Sequence, residues 1–213
     1  MIFEQVLTGG DRNFGYFLAD REGGMAAVVD PSGRPDLFFV LADKYRTNLK
    51  YVILTHDHYD HTGGSSELAR QSSALLVLHR SAGDRADLPV EDGDELELGE
   101  VTLKVIHTPG HTRDSICILA EDILITGDTL FVGKVGGTDL GKQAQDEFTS
   151  LHEKLMVLPD ETKVYPGHDY GTSPSSTIGE EKRSNPFILR KTFEDFVDLK
   201  ANWPEYKRKH GIK

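Results

Sequence analysis

Residues 55–61 read Thr55-His56-Asp57-His58-Tyr59-Asp60-His61, and Thr62-Gly63-Gly64 follows at once. Three imidazoles and two carboxylates within seven residues are more metal-binding side chains than an ordinary surface loop needs. The apolar run Tyr51-Val52-Ile53-Leu54 precedes them, so the stretch leaves the end of a buried strand. Imidazole nitrogens and carboxylate oxygens together suit zinc, iron, manganese and related divalent ions.

Outward from this stretch, the same placement recurs. His111 follows an apolar run ending at Ile106, Asp128 one ending at Ile125, and His168 one ending at Val164. Ligands that leave several strand ends can converge on one edge of a scaffold. Strands are expected at 2–7, 14–18, 25–30, 50–55, 74–79, 101–107, 115–120, 122–126 and 163–165. The second and third form a hairpin around Asp20-Arg21-Glu22-Gly23-Gly24. Helices are expected at 36–47, with Asp36 as N-cap, and at 63–71, 145–158, 177–183 and 192–202. A helical or irregular stretch follows residue 79, and a glycine-rich segment spans 133–141. Lys207-Arg208-Lys209-His210 reads as a solvated tail. This alternation predicts an α+β fold of mixed sheets flanked by helices.

Side chains two apart in an extended segment point the same way, so His56 and His58 can face one ion together. Asp60 and His61 lie where the chain turns and can face a second. His111 completes the first set and His168 the second, while Asp128 bridges both ions with a shared water or hydroxide. A divalent ion lowers the pKa of bound water from ~15.7 to ~7, and a second can stabilise the oxygen that becomes negative. Asp60 and Asp128 are the catalytic carboxylates on this reading. Thr62, Gly63, Gly64, Gly110 and Gly127 are expected to let backbone pass close to the metals. Asp57 either orients a ligand or caps the local turn. His79, His152 and His210 read as packed or surface residues, and His107 as packing or support. Structural metal sites commonly close with four ligands. Seven donors for two ions leave positions open for chemistry.

The 213 residues suit one domain, with 172–213 as a helical C-terminal extension. A net charge of −11 argues against a phosphate-backbone surface and hence against nucleic acid as a partner. No apolar run approaches the ~20 residues that span a bilayer, and the N-terminus lacks the pattern of a signal peptide. A cytoplasmic protein, monomeric or homodimeric, without a membrane partner is expected. The single cysteine, Cys117, sits in an apolar strand and reads as buried packing.

Taken jointly, the motifs resemble the metallo-β-lactamase superfamily. Residues 55–61 look like its His-x-His-x-Asp-His signature. Thr108-Pro109-Gly110-His111-Thr112, Thr126-Gly127-Asp128-Thr129-Leu130-Phe131 and Pro166-Gly167-His168 match its later motifs in order. The resemblance covers roughly residues 1–170. It implies an αββα sandwich with the site at one edge. Within the superfamily, residues 127–131 and His168-Asp169-Tyr170 look most like glyoxalase II, which hydrolyses glutathione thioesters. This implies a metal-dependent thioester hydrolase acting through metal-bound hydroxide, with two divalent ions, zinc first and iron or manganese as alternatives. Tyr170 falls where that family contacts the thiol carrier. The alternative is a persulfide dioxygenase using one iron at His56, His111 and Asp128. Thr138-Asp139, Ser176-Thr177, Glu180-Glu181 and Asn185-Pro186 resemble that branch. Both branches carry a basic residue where this chain has Gly137, and Lys134 is the candidate substitute. The expected partner is a small thioester or thiol-derived substrate, with glutathione itself an open question.

Overall fold

The computed structural model describes residues 1–211. Strands β1 (Ile2–Gly9), β2 (Asn13–Ala19) and β3 (Met25–Val29) form an antiparallel meander. Asp20 holds the hairpin turn by accepting a 2.7 Å hydrogen bond from the Met25 N–H. Helix α1 (Pro35–Tyr45) crosses to β4 (Asn48–Ile53), which pairs in parallel with β3. Then come α2 (Tyr59–Thr62), α3 (Ser65–Ser72), β5 (Leu75–His79) and β6 (Leu88–Val90). These six strands make the first sheet, in the order β1-β2-β3-β4-β5-β6.

The second sheet has the order β14-β13-β10-β9-β8-β7. It contains β7 (Glu95–Leu98), β8 (Val101–His107), β9 (Ile116–Ala120) and β10 (Ile123–Gly127). The ribbon β11 (Leu130–Phe131) and β12 (Lys134–Val135) and helix α4 (Lys142–Thr149) precede β13 (Lys163–Pro166) and β14 (Ser176–Thr177). Helices α5 (Ile178–Ser184), α6 (Phe193–Ala201) and α7 (Trp203–His210) close the described chain. Both sheets mix parallel and antiparallel pairs, as expected.

Alternation along the strands creates four layers. Tyr16, Val29 and Ile53 of the first sheet meet Val105, Ile116 and Ile125 of the second. The opposite face of the first sheet, with Phe17, Val28 and Val52, packs on Phe38 of α1 and Leu68 of α3. The outer face of the second, with Cys117, Leu124 and Val164, packs on Leu151, Ile178 and Phe196. This is the αββα sandwich. Cys117 is fully buried, and burial pushes its thiol up to about 12. Among the described residues no helix is long and apolar enough to cross a membrane.

Several local expectations need correction. Helix α1 begins at Pro35, which suits a first-turn position because it has no N–H to leave unpaired. Asp36 is therefore inside the first turn and pairs with Arg34 at 2.8 Å rather than capping. The helix expected at 63–71 is α3, which starts two residues later because Gly64, at its N-terminus, adopts a left-handed φ of 74°. A short 3-10 helix, Arg80–Ala82, follows β5 as expected, but strand β6 comes after it, and the glycine-rich segment contains β12. Helix α4 starts earlier than expected and runs into a π-helical stretch, Ser150–Leu155. Lys207-Arg208-Lys209-His210 is the last turn of α7, where cations oppose the negative end of the helix dipole.

Candidate metal centre

Strands β4, β8, β10 and β13 all deliver their predicted residues to one edge of the sandwich. The two sheets are joined there by an Ile116 N–H bond to Thr55 O at 2.8 Å and a Phe14 N–H bond to Gly167 O at 2.9 Å. The parallel register of β10 and β13 shifts between Ile125 and Gly127, directly before Asp128. Gly127 takes a φ of +48°, and a Cβ there would strike the Thr55 side chain. A β-branched or bulky residue could satisfy neither demand.

Six of the seven predicted donors come together as two triads, and the seventh, Asp128, lies between them. His58 Nδ1 lies 3.1 Å from His56 Nε2 and 3.0 Å from His111 Nε2. In the other triad, His61 Nε2 and His168 Nε2 are 3.2 Å apart, and Asp60 Oδ2 lies 3.6 Å and 3.4 Å from them. Each triad has its donor atoms close enough to meet one ion. Asp128 stands between them: Oδ1 is 3.3 Å from His61 Nε2, and Oδ2 is 3.4 Å from His168 Nε2 and 3.6 Å from His111 Nε2.

The outward-facing atoms explain why these rings face inward. His61 Nδ1 donates to Asp30 Oδ2 at 2.9 Å, His168 Nδ1 to Asp11 O at 2.9 Å, and His111 Nδ1 to Gly137 O at 2.8 Å. His56 Nδ1 bonds Thr55 Oγ1 at 3.0 Å, whose hydroxyl donates to Asp30 Oδ2 at 2.6 Å. With the outer nitrogen holding the proton, Nε2 presents a lone pair to the centre, which is the tautomer a metal requires. Asp128 Oδ1 is buried yet has no hydrogen-bond partner. A buried carboxylate oxygen without a partner is costly unless a cation meets it. The donor set therefore fits divalent metal.

Proton occupancy reflects the same crowding. Burial opposes charge on His61, but the neighbouring carboxylates of Asp128 and Asp30 outweigh it and raise the imidazole to about 10. Burial, reinforced by the nearby His61 charge, holds His56 well below the usual histidine range. Burial would raise Asp128, but the His168 and His61 imidazoles beside it keep it well below the usual carboxylate range.

Two site residues escaped the sequence reading. Asp30, fully buried, also accepts the Thr55 N–H at 2.8 Å, so one carboxylate braces the roots of both triads. Its only sequence signal was a carboxylate ending the run Ala26-Ala27-Val28-Val29 before Pro31. Asn13 donates to Asp60 Oδ2 at 3.0 Å and fixes that ligand's direction. The small residues behave differently from expectation. Gly63 and Gly64 adjoin Gly33 and Pro35, Gly110 adjoins Glu147, and it is Gly167 whose Cβ would strike Asp128 and His61. Asp57 neither orients a ligand nor caps the turn; it pairs with Arg85. His107 stacks on His79 with centroids 3.7 Å apart, while His152 packs on Phe148 and His210 on Tyr206.

Beside the centre lies a cavity of about 720 Å³ lined by Arg12, Lys134, Tyr170, Pro186 and Trp203 among others. The Tyr170 ring lies flat on His168 at 4.6 Å, with the Lys134 ammonium 3.9 Å and the Arg12 guanidinium 4.9 Å from its centroid. Burial, with Lys207 and Arg12 nearby, lowers the Lys134 pKa. Gly137 offers no side chain, and a Cβ there would meet open space.

Comparison with known proteins agrees with this geometry. A hydroxyacylglutathione hydrolase of Polaromonas sp. (strain JS666 / ATCC BAA-500) is 37% identical over 178 residues, which cover 80% of this chain and 67% of that protein. The mitochondrial persulfide dioxygenase ETHE1 of Homo sapiens is 35% identical over 196 residues, covering 89% and 76%. The crystal structure of ETHE1 from Myxococcus xanthus superposes with a TM-score of 0.89 at 35% identity, over 95% of this chain and 91% of that one. The sequence model of the metallo-beta-lactamase superfamily matches residues 9–168, the span that runs from the first turn through His168. On motif, fold and site alike, the chain belongs to the metallo-beta-lactamase superfamily.

Proposed function

We propose that this chain is a metal-dependent hydrolase that cleaves a thioester, of the hydroxyacylglutathione or a related acyl-thiol kind, at a centre of two divalent ions. The position of Asp128 carries this reading, because its carboxylate reaches donors of both triads at 3.3–3.6 Å. His56, His58 and His111 would hold one ion, and Asp60, His61 and His168 the other, with Asp128 within reach of both sets of donors. Zinc suits the set, and iron and manganese accept the same donors. Ions bound there lower the pKa of water to ~7 and stabilise negative charge on a carbonyl oxygen.

The residues supply orientation. Asp60 and Asp128 are the hydrogen-bond acceptors of the set and hold the attacking water toward the acyl carbon. The water gives up one proton to solvent, a C–O bond forms, the C–S bond breaks, and the thiol carrier leaves as a thiolate, which needs no dedicated acid. The carrier occupies the neighbouring cavity, packed on Tyr170, with its anionic groups facing Lys134 and Arg12. In an acidic chain, two cations lining one cavity favour an anionic group there.

A second reading, an iron-dependent persulfide dioxygenase using His56, His111 and Asp128, is favoured by one observation. The superposition on Myxococcus xanthus ETHE1 covers 95% of this chain. Metal analysis of protein purified without chelator, paired with two assays, separates them. Two ions per chain and turnover of S-lactoylglutathione support the hydrolase. One iron with oxygen uptake on glutathione persulfide establishes the dioxygenase. No turnover of any thioester with zinc, iron or manganese restored would sink the first reading.

A further inference from the structure

Glu147 in α4 is a fully buried carboxylate that the proposed hydrolysis does not use. It is wedged between two segments that shape the His111 side of the centre. A Cβ on Gly110 would strike the Glu147 backbone and Cβ. A Cβ on Gly136 would lie 3.1 Å from Glu147 Oε1 and 3.0 Å from His111 Cβ. Glu147 Oε2 meets the Lys200 ammonium of α6 at 2.5 Å, with the Lys200 side chain only 7% exposed. The same ammonium donates to Gly136 O at 2.7 Å. The next carbonyl, Gly137 O, is the one that accepts from His111 Nδ1. Ser150 adds a 2.8 Å bond to Pro109 O, on the other flank of the His111 loop.

Burying an ion pair is expensive, and an apolar pair of similar volume is often as stable. Packing alone therefore does not account for this pair. We propose that Lys200, held by Glu147, is a positioning residue for His111. It ties Gly136 so that the Gly137 carbonyl holds the imidazole with Nε2 facing His58. Helix α6 lies beyond the matched superfamily region, so the C-terminal segment sets the geometry of a triad to which it gives no ligand. The inference rests on reading His111 as a metal ligand.

The test compares wild type, Glu147→Gln, and the neutral double variant Glu147→Gln/Lys200→Met. Cobalt(II) titrations followed by visible absorption report metal binding. The His111 Nδ1–H resonance in metal-free protein reports the ring directly. The double variant should stay folded by circular dichroism, bind one of two cobalt ions about tenfold more weakly, and exchange the His111 proton faster. Glu147→Gln leaves an amide oxygen to accept from the Lys200 ammonium, so the bond to Gly136 is kept and both readouts should match wild type. A folded double variant with wild-type affinity and a wild-type His111 signal overturns the proposal. So does a Glu147→Gln protein as impaired as the double variant, or a double variant that does not fold. A wild-type protein that takes up no cobalt overturns the metal reading instead, because the proton signal tests the tie without metal.

Discussion

Asp30 shows how much one unannounced side chain can organise. It accepts from Thr55 N, Thr55 Oγ1 and His61 Nδ1, so a single buried carboxylate aligns residues of both triads. Asp30→Asn keeps the volume but removes the charge that orients His61. Metal affinity, measured by competition with a chromophoric chelator, should fall about 10–100-fold. The His61 proton has its own consequence. Its folded pKa, about 10, exceeds the ordinary 6.5. The stability that this group lends the metal-free protein is therefore complete below pH 6.5 and lost as pH rises from there through about 10. A metal must displace the same proton, so affinity should rise with pH over that interval, by about tenfold per unit for one proton released. Chemical denaturation and chelator competition across the range check the two halves. Gly137 offers a gain of function, since a side chain there meets open space. Gly137→Lys should lower the KM for a glutathione thioester about fivefold, equivalent to about 1 kcal/mol, with kcat nearly unchanged.

At the scale of elements, the cavity wall depends on a helix whose start is specified locally. Thr177 accepts the Glu180 N–H at 3.1 Å, and Glu180 accepts the Thr177 N–H at 3.0 Å, a reciprocal cap for α5. This helix presents Glu181, which accepts from Gly133 N at 3.0 Å and Asn185 Nδ2 at 2.7 Å. Asn185 also bonds Lys134 O at 3.2 Å, so α5 steadies the ribbon that carries Lys134. Thr177→Ala should cost about 1 kcal/mol, read as a lower urea midpoint with an unchanged slope. The start of this helix at 177 was legible from the sequence. The ribbon β11–β12 was not, because two-residue strands lack any periodicity to read.

Across the whole molecule, the C-terminal helices form part of the core. Phe187, Ile188, Phe196 and Leu199 are buried against Cys117, Leu124 and Val164 of the second sheet. Burying four such side chains is worth roughly 6–12 kcal/mol, against a typical total stability of roughly 5–15 kcal/mol. A chain ending at Gly171 should therefore fail to fold natively even though it retains every proposed ligand. Solubility on expression and near-ultraviolet circular dichroism would reveal this.

The candidate metal donors could be named from the sequence because ligand chemistry belongs to side-chain type and strand period groups them. His56, His58, Asp60 and His61 are neighbours in the chain, and His111, Asp128 and His168 each follow an apolar run. Strands and helices flanking sheets were legible from their own periods, while the αββα sandwich was implied only by the resemblance of the motifs to the superfamily. What orients the donors was decided only by tertiary structure. Asp30 reaches His61 across 31 positions, Asp11 reaches His168 across 157, and Lys200 reaches Gly136 across 64. A lone Asp, backbone carbonyl or Lys looks the same in sequence whether it braces a ligand or faces water. Only the packing of one sheet on the other, and of the C-terminal helices on both the sheet and the His111 loop, determines which it does.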